Sequence, residues 1–116
     1  MALINRQFTY KHRIKVSTDD LALAKSGRKT CTIRLGTAKV DGELMDLSDG
    51  QLVLKVRIVS VETEPYRNLT QQHAQWEGFS TVEELQKDLE KYYRRIDQDQ
   101  LVTIIRFEPV PLSWHR

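Results

Sequence analysis

Hydrophobic and polar positions alternate along several stretches of this chain, and one further stretch repeats with a helical period. Tyr10, His12, Ile14 and Val16 fall on one side of an extended segment, which predicts a first strand within residues 10–16. Residues 30–35 and 43–47 read as a second and third strand. The strongest alternation lies in residues 52–62, with Leu52, Leu54, Val56 and Ile58 on one face and Lys55 and Arg57 on the other. The last strand, residues 101–108, sets Val102, Ile104 and Arg106 against Leu101, Thr103, Ile105 and Phe107. Two apolar-rich faces predict a central position or a barrel wall.

Val82, Leu85, Leu89 and Tyr92 recur at spacings of 3, 4 and 3, which predicts an amphipathic helix over 81–95. Ser80 is its expected N-cap, with Glu83 completing a capping box. A shorter helix is expected after Ser17 or Thr18, with Asp19 and Asp20 at its positive end and Gly27 closing it. Another is expected from Thr70 through Gln72, His73 and Trp76 to Gly78. Residues 36–41 read as a loop and Ser48-Asp49-Gly50 as a turn. Residues 1–9 read as a leader and 10–116 as one α+β domain, a small sheet or barrel of five to six strands with two to three helices at its ends.

Composition narrows the class. Forty per cent of the 116 residues are hydrophobic and 29% are charged, as in an ordinary globular domain. Eighteen Lys and Arg face 16 Asp and Glu, so the net charge of +2 does not by itself predict nucleic-acid binding. Cys31 is the only cysteine, which excludes an internal disulfide and points to a reducing, cytoplasmic setting. No segment approaches the roughly 20 apolar residues of a membrane span. The three histidines have no metal-ligand spacing, so neither a metal nor another cofactor is expected.

The densest chemistry is the run Gly27-Arg28-Lys29-Thr30-Cys31-Thr32-Ile33-Arg34. Alternation places Thr30, Thr32 and Arg34 on one face of the strand and turns Cys31 and Ile33 toward the core, where Cys31 is expected to be buried and unreactive. Lys29 sits in the turn, and its long stem can reach over Thr32. An Arg–hydroxyl–Arg face suits phosphate, carboxylate or a polarised carbonyl; a solvated basic strand end is the plainer reading. In the second constellation, His73 and Glu77 are four apart on a helix face, and Trp76 is either a core anchor or a stacking platform.

These two runs, Lys25 to Arg34 and Leu69-Thr70-Gln71-Gln72-His73-Ala74-Gln75-Trp76-Glu77-Gly78-Phe79, resemble the ASCH domain, a PUA-like β-barrel, over residues 12–108. Many ASCH domains carry an acidic residue where this chain has Thr32. The branch with threonine there is similar to the amidohydrolase that removes the acetyl group from N4-acetylcytidine. The resemblance implies Lys29, Thr32 and Glu77 as catalytic residues converging on one cleft, with the Lys29 amine near the Thr32 hydroxyl. Lys29 would act as a base if burial, Arg28 and Arg34 lowered its pKa. Arg28, Thr30, Arg34 and Trp76 would bind substrate. The chain departs from that branch by its N-terminal extension and by a longer, Lys-Arg-rich end to the long helix, both of which bear on substrate choice. The expected partner is a modified nucleoside or RNA, with the chain a monomer. Two other readings compete: an ASCH module that binds RNA or a nucleotide without turnover, and a ribonuclease.

Overall fold

Both faces of the last strand are apolar, and the fold is built around it. The computed structural model describes residue 3 and residues 6–110. Its strands are β1 (Gln7–Tyr10), β2 (Arg13–Lys15), β3 (Cys31–Leu35), β4 (Thr37–Val40), β5 (Leu44–Ser48), β6 (Val53–Pro65) and β7 (Leu101–Pro109). Its helices are α1 (Thr18–Lys25), α2 (Gln71–Trp76) and α3 (Val82–Tyr93), with a 3-10 turn at Tyr66–Asn68. Five strands form one sheet in the order β2-β5-β6-β7-β3, and β1 pairs with β4 in a second, parallel ribbon. β7 lies between β6 and β3, antiparallel to both, as its two apolar faces predict.

The two faces of β7 feed two cores. Val102 and Ile104 pack with Cys31, Ile33, Leu35, Leu85 and Leu89 beneath α2 and α3. Ile105 and Phe107 pack on the other side with Ile14, Leu21, Met45, Leu47 and Val56. Burying each such aliphatic side chain stabilises the fold by about 1.5–3 kcal/mol.

The fold is α+β, with more strands than the five to six expected, and its ladders do not close into a barrel among the described residues. β4 falls in the stretch expected to be a loop. It is short and joins β7 through a side chain: the Thr103 hydroxyl accepts from the Ala38 N–H at 2.9 Å and donates to the Gly36 carbonyl at 2.7 Å. β1 takes in residues 7–9, expected as part of the leader; they pair with Thr37–Lys39. Gly36 permits this approach. Its φ is +92°, and a Cβ there would sit 2.5 Å from the Arg6 carbonyl oxygen.

Helix α3 is capped one residue later than expected. Thr81, not Ser80, accepts from the Glu84 N–H at 3.2 Å. The run Ser80-Thr81-Val82-Glu83-Glu84 reads as a capping box in either register. Tyr92, expected on the apolar face, is 64% exposed, while its neighbour Tyr93 packs against the core.

Candidate active site

Two helix-ending turns lie against each other and create the site. After α1, Gly27 takes φ +84°, and the Arg28 and Lys29 amides both bond back to the Leu23 carbonyl at 3.0 and 3.1 Å. After α2, Gly78 takes φ +94°, with the Arg28 carbonyl oxygen 3.4 Å from where its Cβ would be. The Thr30 amide closes the contact by donating to the Trp76 carbonyl at 2.6 Å. Lys29 and Glu77 thus emerge side by side, and the Lys29 ammonium donates to Glu77 Oε1.

This ion pair is buried: Lys29 is 2% exposed and Glu77 5%. Both line a cavity of about 370 Å³ together with Thr32, Arg34, Lys15, Ser17, Asp20, Asp88 and Tyr93 among others. Thr32 and Arg34 line the cavity and Cys31 enters the core, as alternation predicts; Ile33 belongs to the core but also lines the cavity, so the two faces are not cleanly separated there. Among the described residues no hydrogen bond joins Lys29 to Thr32; the amine is engaged by Glu77 instead.

Burial pushes the Glu77 carboxyl up to about 7, against the opposing pull of Lys29. For Lys29, burial pulls the pKa down, but the carboxylates of Glu77 and Asp20 outweigh it and hold the ammonium above its ordinary value. This reverses the expectation that Lys29 is a lowered-pKa base. The charges nearest its amine are acidic, and Arg28 is exposed. Of this pair, Glu77 is the member whose pKa is pushed toward neutral pH. Cys31 is fully buried, with its sulfur 3.9 Å from Glu77 Oε1; burial and that carboxylate raise its thiol well above its ordinary value.

The other expected residues lie outside this cavity. Arg28 is exposed. The Thr30 hydroxyl points to the Trp76 carbonyl at 3.5 Å. Trp76 packs against the core, edge-on to His73 at 5.5 Å, with the Arg106 guanidinium 3.9 Å over its ring. His73 is committed to helix capping, its Nδ1 accepting from the Thr70 N–H at 2.9 Å. Lys15, Ser17, Asp20 and Asp88 were not anticipated. Asp20 and Ser17 read in sequence as helix-start residues, which they also are: Ser17 accepts from the Asp20 N–H at 3.1 Å. Asp88 carried one signal, an acid placed between Leu85 and Leu89 at the edge of an apolar face. Among the described residues no three or more of His, Cys, Asp and Glu are grouped so as to hold a metal ion.

Solved structures share this architecture. An ASCH domain from Lactobacillus crispatus JV V101 superposes with a TM-score of 0.69 at 17% identity, covering 89% of this chain and 79% of that one. A protein from Enterococcus faecalis V583 of the family DUF984 superposes with a TM-score of 0.62 at 23% identity, covering 87% and 80%. The hypothetical protein PH0355 superposes with a TM-score of 0.62 at 18% identity, covering 86% and 99%. No family model and no curated protein matches the sequence. The chain therefore has the ASCH fold, a small PUA-like α+β architecture. No helix among the described residues is long and apolar enough to cross a membrane.

Proposed function

We propose that this chain is an amidohydrolase that removes an acyl group from a modified nucleoside such as N4-acetylcytidine. The observation that carries this reading is the buried Lys29–Glu77 ion pair, opening with Thr32 onto one cavity. The threonine-bearing motif, similar to that of the acetylcytidine amidohydrolase branch, supports it from the sequence side.

In this scheme Glu77 is the base, because it is the group that changes protonation near neutral pH. It takes a proton from water as the water oxygen bonds to the acyl carbon. The carbonyl π electrons move onto oxygen, and the Lys29 ammonium and Thr32 hydroxyl stabilise that oxyanion. Collapse breaks the carbon–nitrogen bond while Glu77 returns its proton to the departing amine, leaving acetic acid and cytidine. Thr32 as a direct nucleophile fits less well, since Lys29 holds its proton and cannot serve as the adjacent base. Arg34, which also lines the cavity, would hold the sugar or base of the substrate. The scheme uses no metal and no organic cofactor. A reducing compartment suits the free thiol of Cys31, and a cytoplasmic monomer is the form proposed.

The test is to incubate purified protein with N4-acetylcytidine and follow cytidine and acetate by chromatography. Stoichiometric release, lost in Glu77→Gln, is the expected result. Tight nucleoside or RNA binding with no release would instead make the chain a binding module.

A further inference from the structure

A second cavity, of about 260 Å³, adjoins the first and shares Arg34 and Tyr93 with it; Arg6, Phe8, Tyr10 and Leu35 complete its lining. The two differ in charge. The first has three cationic residues, Lys15, Lys29 and Arg34, against three acidic ones, Asp20, Glu77 and Asp88. The second has two arginines and no acidic residue.

Arg34 stands between them with donors to spare. One of its terminal nitrogens donates to the Lys15 carbonyl at 2.8 Å. Its Nε–H is buried and has no hydrogen-bond partner among the described residues, which costs the fold free energy; with almost no accessible surface it is not itself a contact for a ligand. Arg6 is fixed from two sides. Its carbonyl accepts from the Thr37 N–H at 2.8 Å, and its guanidinium lies 5.2 Å from the centre of the Phe8 ring. Phe8 in turn meets Tyr10 edge-on, with ring centres 5.1 Å apart. Tyr10 is half-buried and its phenol is held protonated by burial, with Arg34, Tyr93 and Arg6 close enough to bias it. Its hydroxyl is therefore a donor in the same space.

We propose that this second cavity is a subsite for a phosphate monoester on the ribose of the substrate whose acyl amide occupies the first. The inference rests on the amidohydrolase reading and extends it: the preferred substrate is an acylated nucleotide rather than a free nucleoside. A phosphate presents three acceptor oxygens to two guanidiniums and a phenol, whereas a carboxylate presents two. The N-terminal segment that carries Arg6, Phe8 and Tyr10 thereby becomes a specificity element.

The experiment is calorimetric titration of the intact protein and its Arg6→Gln variant with four probes: cytidine, cytidine 5′-monophosphate, cytidine 3′-monophosphate and ribose 5-phosphate. Arg6 is exposed, and circular dichroism checks that the variant remains folded. At least one monophosphate should bind about tenfold more tightly than cytidine, and Arg6→Gln should bring it to within about twofold of cytidine. The 5′ and 3′ arms identify which ester the cavity takes. Cytidine binding with no gain from either phosphate, or a gain that survives Arg6→Gln, would overturn the subsite; the amidohydrolase reading is decided separately, by cytidine release from N4-acetylcytidine. Arg6-dependent binding of ribose 5-phosphate, with release of cytidine from N4-acetylcytidine absent, would leave an anion site but overturn its place beside an acyl amide. No binding of any probe would overturn the subsite.

Discussion

Lys29 and Glu77, 48 positions apart in sequence, form a buried ion pair whose members do not tolerate loss of a partner equally. Glu77, pushed up to about 7, takes up a proton at little cost if Lys29 is removed. Without Glu77, Lys29 loses the main attraction that raises it and burial pulls its pKa down, but from an ordinary 10.5 it has much further to fall before it is neutral at pH 7. We expect Glu77→Gln to destabilise the protein by about 3–5 kcal/mol, the usual range for a stranded buried charge. Lys29→Met should cost less. Urea unfolding of both variants at neutral pH measures the difference, and equal losses would contradict the asymmetry.

Stability should also respond to pH. In the unfolded chain Glu77 titrates near its ordinary 4.5, and in the fold near 7, so between those values the native state binds more protons. Stability therefore falls as pH rises through that window and levels off above it. Asp88, raised by burial, acts in the same direction. Lys29 has the opposite sign of charge: its contribution is present below its ordinary value and is lost as pH rises through its raised folded value, in alkaline solution. Urea midpoints measured from pH 4.5 to 7.5 should decline in the wild type, and the decline should shrink in Glu77→Gln.

Cys31 should resist a thiol reagent in the native protein and react fully in urea. Its side chain has no exposed surface, and its thiol is held protonated by burial and by Glu77. Rapid labelling of the folded chain would show that the Cys31 face of β3 opens to solvent.

Thr81→Ala should cost about 1 kcal/mol, the usual loss on removing an N-cap hydroxyl, while Ser80→Ala should cost little. Thermal or urea unfolding of the two variants assigns the cap of α3 directly. A larger loss from Ser80→Ala would move the helix start back by one residue.

Much of the architecture was legible because period and chemistry agreed. The double-faced pattern of residues 101–108 located the central strand, and Gly27 and Gly78 marked the ends of two helices. β4 was not legible: Thr37-Ala38-Lys39-Val40 is too short to show a period, and its hold on the sheet comes from the Thr103 side chain. β1 was missed because its partner, β4, was unread. At the site, the sequence placed Thr32 and Arg34 on one face by alternation and paired Lys29 with Glu77 only by resemblance. The sense of the Lys29 shift was not accessible, because it depends on which charges the two turns bring nearest. Those are Glu77 and Asp20, not the sequence neighbours Arg28 and Arg34. Arg28, Thr30 and Trp76 stand close to the motif in sequence, but the turns direct them away from the cavity.

Replacing Lys29 by arginine separates the two roles considered for it. As a fixed cation it should be partly replaceable, so Lys29→Arg should retain measurable turnover with an unchanged acidic limb in its pH profile. Lys29→Met should lose the oxyanion contact and fall by about 100-fold or more. Complete loss in Lys29→Arg, with the fold intact, would return Lys29 to the part of base.

The most direct measurement is the rate of cytidine release from N4-acetylcytidine as a function of pH, in the wild type and in Glu77→Gln. The rate should rise with pH through a midpoint near 7, the value to which burial pushes Glu77, and then hold level. Glu77→Gln should lose the acidic limb together with at least about 100-fold in rate. No release of cytidine by the wild type, or a rate that ignores the loss of Glu77, would rule out Glu77 as the base of an amidohydrolase.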